Sequence, residues 1–306
     1  MWLSVVLVVL AAVANAAASV LQRKAARTEP GGDGPASVWA MIWSLAHKPV
    51  WFAGIASIIL GVLLQAGALA TGPIALVQPI LVLELAFTLL LAAAVFRNGL
   101  HAREWIAIAG MTVGLGLMLY CLQPAGGDPR ATPTAVSVLA IGVTLAVAAG
   151  FLVIGHRSRH SRRAAFLGIA TGVGFGLTAA LIAVITRDYA VAGLAGVFTA
   201  WHTYLLIVIG PLFFLTLQKT MQAGRLVASQ PALTLANPIV AFGLGIAVFG
   251  EHVRTGGWIA GAVVGAVLIG ASTVLLARSP LLHDEGDPAH DSAAGTRNQT
   301  TAPKPA

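Results

Sequence analysis

One carboxylate stands where a carboxylate is costly. Glu84 lies about eleven residues from either end of the apolar stretch Pro73 to Val95. A charge at that depth in hydrocarbon costs roughly 2.5 to 3.5 kcal/mol on insertion scales, which makes an intramembrane glutamate a functional candidate by default. It could couple transport to protons, face a cation, or persist as a protonated acid hydrogen-bonded to a neighbouring helix. Three amide–proline pairs follow the same logic: Gln78-Pro79, Gln230-Pro231 and Asn237-Pro238. Proline inside a helix removes a hydrogen bond and frees the carbonyl four residues back, here Ala75, Val227 and Thr234. Such carbonyls beside amide side chains form polar patches that are tolerable at membrane depth only when buried in protein or lining a cavity. Gln230 and Asn237, seven apart, share a helix face. The alternative is kinked packing with the amides as interhelical glue.

Weaker candidates are Asn15, Ser19 and Gln22, on one face of the first apolar stretch, and Gln65 and Gln218 near the ends of two others. They could line a pathway or hydrogen-bond helix to helix. The glycine series Gly168/Gly172/Gly174/Gly176, Gly110/Gly114 and Gly257/Gly261/Gly265 suits close helix approach. None is a dinucleotide fingerprint, because no strand precedes it. The chain is not expected to be an enzyme. It has no His-Glu-x-x-His, no Gly-x-Ser-x-Gly and no intramembrane Asp pair, and His202 is isolated. No cofactor is implied, and Cys121, the single cysteine, has no ligand spacing around it.

The elements that must position these residues follow from composition. Of the 306 residues 58% are hydrophobic and 9% charged, against about 25% charged in a soluble domain, and mean hydropathy is +0.86. Such a chain cannot cover itself with polar surface. Its main solvent is lipid, where each helix satisfies its own backbone, and the expected class is an all-α polytopic membrane protein. A span needs about 20 apolar residues. Nine stretches qualify, near Trp2 to Leu21, Val50 to Leu69, Pro73 to Val95, Glu104 to Cys121, Pro133 to Ile154, Ala165 to Ile185, Ala200 to Leu217, Leu226 to Val248 and Gly257 to Leu276. Ala14-Asn15-Ala16 resembles a signal-peptide cleavage site. Yet no Lys or Arg precedes the first stretch, while Arg23, Lys24 and Arg27 follow it, so it is expected to remain a helix. Ala36 to Ala46, with Trp39 and Trp43, is too short to span and is expected at the interface. The polar segment 278–306 is expected to be a disordered cytoplasmic tail.

Nine spans put 15 of the 18 Lys and Arg residues on one side and only Arg130, Arg187 and Arg254 on the other. By the positive-inside rule the N-terminus is expected outside and the C-terminus in the cytoplasm of a cell-membrane protein. The net charge of +7 is explained by this orientation, and no nucleic-acid partner is expected. Shifting the sequence by 153 residues, with one deletion, aligns Gln65 with Gln218, Gln78-Pro79 with Gln230-Pro231, Phe96 with Phe249 and Trp105 with Trp258. The shift covers five spans, an odd number, so the two copies run through the bilayer in opposite directions. Inverted repeats characterise many secondary transporters, with the substrate site near the midplane between the repeats. The expected layout is a transmembrane domain over 1–277, with repeat one at about 1–122, a connector helix at about 133–155 and repeat two at about 165–277.

The run from Gln230-Pro231 through Asn237-Pro238, then Val248-Phe249-Gly250-Glu251 and the Gly-rich last span, resembles the second half of an EamA-type repeat of the drug/metabolite transporter superfamily. The nine-span layout, Gln22-Arg23-Lys24, Pro49 to Gly54 and Ala70 to Pro79 resemble the branch related to the NIPA magnesium transporters. One departure is Arg97-Asn98-Gly99, where the second repeat has Gly250-Glu251. The resemblance implies a secondary transporter of a small polar solute or cation, with Mg2+ the leading cargo. One deep glutamate compensates little divalent charge, but Mg2+ keeps several waters and binds through few carboxylates. The alternatives are a proton-coupled exporter of a small metabolite or drug and, as a minor reading, a non-transporting membrane scaffold. The implied partners are the lipid bilayer and the cargo; oligomeric state is not read from the sequence.

Overall fold

The computed structural model describes residues 2–27, 49–97, 99–128, 132–222 and 226–278. The segment with Trp39 and Trp43, and the tail after Arg278, lie outside the described residues. Among the described residues the helices are α1 (Trp2–Arg27), α2 (Pro49–Thr71), α3 (Ile74–Leu81), α4 (Leu83–Phe96), α5 (Ala102–Leu122), α6 (Thr134–Arg157), α7 (His160–Thr199), α8 (Trp201–Gln222), α9 (Leu226–Ala247) and α10 (Trp258–Ala277). The two-residue strands β1 (Ala125–Gly126) and β2 (Glu251–His252) pair antiparallel. This is an all-α polytopic membrane protein: among the described residues eight spans are long and apolar enough to cross a bilayer, and α9 carries a shorter apolar run, Pro231–Ala247.

Two elements differ from expectation. The third span is two helices, α3 and α4, that meet at Val82. Pro79 removes a donor from the helical ladder, and three residues later the Val82 N–H bonds the Pro79 carbonyl at 3.2 Å, a tightened turn. The sixth span, expected over Ala165 to Ile185, continues as α7 to Thr199. Arg187 and Asp188 end an apolar run but not a helix. The break comes at Gly193, whose φ of 60° and ψ of −148° suit glycine.

Lipid offers no hydrophobic drive between helices, so packing depends on close approach of small residues. A Cβ on Gly114 of α5 would lie 2.7 Å from the Gly265 carbonyl of α10, and one on Gly265 would lie 2.5 Å from the Gly114 carbonyl. Along the α7–α9 contact, Cβ atoms on Gly168, Gly172 and Gly176 would meet the carbonyls of Ser229, Leu233 and Asn237 at 2.7, 2.7 and 2.9 Å. The constant offset between partners makes α7 and α9 run parallel. Gly61 of α2 leaves the space that the Asn15 amide of α1 fills. At the centre lies α3, whose residues Ile74 to Ile80 are all buried. It shares one core with residues of α1, α2, α4, α5, α7, α9 and α10.

Gly114→Ala is expected to lower the melting temperature in detergent, because overpacking against backbone costs about 1–3 kcal/mol. Gly116→Ala, two residues on and facing open space, should melt at or above the wild type. Equal melting of the two variants would refute the packing role of Gly114.

Candidate functional site

An eight-residue helix buried on every side must find partners for its end groups inside the protein. Pro73 precedes α3 in an extended conformation and offers no side-chain cap. Its carbonyl accepts the N–H groups of Leu76 and Val77, each at 3.1 Å. The two remaining donors, Ile74 and Ala75, give their N–H groups to Glu251 Oε1 at 2.6 Å and Oε2 at 2.9 Å. Glu251 itself is 5% exposed. The carboxylate meets the positive end of a helix dipole with two charge-assisted hydrogen bonds, and Gly245 leaves the room it needs.

Other bonds fasten the same end of the bundle. Arg254 N–H reaches the Leu122 carbonyl at 2.8 Å, Asp128 N–H the Phe249 carbonyl at 3.0 Å, and Thr132 Oγ1 the Val248 carbonyl at 2.7 Å. Burial pushes the Glu251 carboxyl above its ordinary value, against the pull of the Ala75 and Ile74 N–H groups and of the Arg187 charge.

Half a helix further in, Gln78 is 1% exposed, and among the described residues neither its Oε1 nor its Nε2 has a hydrogen-bond partner. It adjoins Pro79, also buried. Past the break, Glu84 is half-buried on α4 and accepts a hydrogen bond from Asn15 Nδ2 at 3.2 Å. Asn15 in turn receives Ser19 Oγ on its backbone carbonyl at 3.1 Å. Two candidates read separately from the sequence, Asn15 and Glu84, are therefore one pair joining α1 to α4.

In the other half of the chain, α9 stays continuous through both Pro231 and Pro238, so the matching prolines do not break matching helices. Pro231 is buried, while Pro238 and Asn237 are half-buried. Asn237 Oδ1 is a buried acceptor without a partner among the described residues, and so is Ser229 Oγ, which the sequence reading missed. The Gln230 side chain lies outside the described residues. Gln65 is half-buried and Gln218 exposed. Gln22 is exposed and sits against Gly54. Glu251 was also missed as a site residue. Its only sequence signal was the Gly-Glu that the first repeat lacks, and a charge at a span end draws no attention by itself. No three His, Cys, Asp or Glu side chains converge to hold a metal ion among the described residues.

Many apolar membrane helices around a buried, interrupted helix with polar groups at its break define the class, a multi-pass membrane protein. The sequence is 35% identical over 234 residues to an uncharacterized protein of Corynebacterium glutamicum, covering 76% of this chain and 80% of that one. The chain belongs to the same family as that protein. No family model matches the sequence, and no solved structure matches it.

The raised carboxyl value gives a signed pH prediction. The folded state holds the Glu251 proton more tightly than the unfolded chain, so this stabilisation is complete below the ordinary carboxylate value of about 4.5 and is lost as pH rises through the raised value. Melting temperatures of the wild type and Glu251→Gln, measured in detergent across pH, should shift in favour of Gln as pH rises. A difference that stays constant across pH would refute the sign.

Proposed function

We propose that the chain is a secondary transporter of the drug/metabolite type, carrying a small polar solute or cation along a pathway beside the α3–α4 break. The observation that carries this reading is Gln78. A fully buried amide with both polar atoms unpartnered costs about 1–3 kcal/mol per unsatisfied group, a burden that a packing residue has no reason to bear and a cargo-binding residue does. Broken helices at the midplane serve this purpose in transporters. The Glu84–Asn15 pair, Asn237 and the carbonyls near Pro79, Pro231 and Pro238 complete an acceptor-rich path.

Several features support the nine-span inverted repeat beneath it. The shift of 153 maps Gly114 onto Val267, two residues from the Gly265 that Gly114 meets. The α5–α10 crossing thus lies where a two-fold axis in the membrane plane would pass. The matched Trp105 and Trp258 are both about half exposed and begin α5 and α10, consistent with opposite interfaces lined by tryptophan. The charge asymmetry supports an outside N-terminus and a cytoplasmic C-terminus, which puts Ile74, Leu122 and Glu251 at the outer end.

Mg2+ is the leading cargo. With one carboxylate beside amides and carbonyls, the site would take the ion with most of its water retained. The alternative, a proton-coupled exporter of a small metabolite or drug, uses Glu84 as the proton carrier.

Proteoliposomes separate the two. Under a Mg2+ gradient read by an internal dye, the magnesium reading expects influx that ignores an imposed pH gradient. Gln78→Leu should cut that influx on the order of tenfold, the effect of about 1.4 kcal/mol of lost stabilisation. The proton-coupled reading expects no Mg2+ influx, and an inward proton current that appears only with an organic solute and vanishes in Glu84→Gln. Flux of neither kind across a panel of cations and amines would refute transport. Orientation is checked with epitope tags on intact cells: a tag at residue 2 should be accessible and one after residue 278 protected.

A further inference from the structure

The contact between Glu251 and the N-terminus of α3 joins two parts of the chain 177 positions apart. Glu251 follows α9, in the second half, and α3 opens the interrupted span of the first. It bridges the proposed repeats at the end of the bundle where Leu122, Asp128 and Thr132 also bond the 248–254 segment. The sequence differs at the matching positions: where the second half has Gly250-Glu251, the first has Arg97 and Asn98, and no carboxylate.

We propose that Glu251 is the latch of the outer gate: its carboxylate ties the α9–α10 turn to the α3 N-terminus, and the pathway opens outward when that pair of bonds is released. The inference rests on the transporter reading. Its logic is local. Ile74 and Ala75 are buried, with 2% and 1% exposure, so their N–H groups lose all partners when Glu251 withdraws unless water reaches them. Release of the latch and hydration of the mouth are one event. Arg187, on α7, is the cation that acts on the carboxylate, and its Nε is itself a buried donor with no partner among the described residues.

The test uses single cysteines in a Cys121→Ser background of the full chain, which removes the one native thiol. Val77→Cys reports the outer side: its side chain is 0% exposed, one turn inside Ile74. Ser19→Cys, half-buried one turn from Asn15 towards the expected cytoplasmic end, reports the inner side. Labelling with a membrane-impermeant maleimide is measured on intact cells for the first and on inside-out vesicles for the second. Glu251→Ala should speed Val77→Cys labelling on the order of tenfold, the scale on which minor states become populated, and should slow Ser19→Cys labelling reciprocally. Glu251→Gln keeps one acceptor and sets a donor against the other N–H. It should give a smaller shift in the same directions, and it decides the matter if the alanine variant does not fold.

Unchanged outer labelling in folded variants overturns the proposal. So does faster labelling at both reporters, which is what mere loosening would give. No cargo is needed, so the two readings fail separately: reciprocal labelling without flux for any solute sinks the transporter, and flux without reciprocal labelling sinks the latch.

Discussion

The structure depends on one constraint: a short helix has been placed where neither lipid nor water can serve its backbone. The end groups of α3 must be satisfied by the protein, and α3 is buried from Ile74 through Ile80. Proline at position 73 removes one donor and supplies one carbonyl. Glu251, brought from 177 residues away, supplies the rest. An unbroken third span would leave the same first-turn N–H groups without intrahelical partners, so the carboxylate answers the burial of the helix start rather than the break at Val82. The carboxylate serves one end of α3 and the break at Val82 forms the other.

The remainder of the bundle is arranged to bring backbones close enough for this. Gly61 admits the Asn15 amide, Gly245 admits Glu251, and the glycines of α7 leave its surface flat against α9. The outward faces of the same helices are apolar without exception at many positions, as with Leu63, Leu139, Val208 and Val267, each more than half exposed. In water such a surface would drive aggregation; in lipid it is neutral. Small residues inside and large apolar residues outside invert the pattern of a soluble core, and that inversion follows from the solvent.

Much of this was legible in the sequence. Apolar length alone located the spans, because a bilayer imposes a length that no soluble fold does. Glu84 and Asn15 were visible as polar residues in apolar stretches, although their pairing was not, since they are 69 positions apart and no periodicity links two helices. The break at Val82 was half legible: Pro79 announces a disturbed ladder, yet Pro231 and Pro238 announce the same and α9 runs through both. What separates them is tertiary. The first turn of α3 is drawn to a distant carboxylate, and that turn comes five residues before its proline. Glu251 itself was hidden by position, because charges at span ends are ordinary and only the partner's burial makes this one unusual.

The polar groups at depth divide by how fully they are satisfied. Glu251 gives both its oxygens to fixed donors and has nothing left for a ligand. Glu84 gives one oxygen to Asn15 and keeps lone pairs in reserve. Gln78 gives nothing among the described residues, although it is almost fully buried. A group that holds the fold should be saturated, since every missing bond weakens the fold. A group that holds a cargo transiently should not be, since bonds already made to the protein must be broken before the cargo can be bound, and bonds made too well keep it from leaving. On that physical ground the proposed cargo role falls first on Gln78 and then on Glu84, and Glu251 belongs to the structure. The first two flank the break, and the third closes the helix that carries the first.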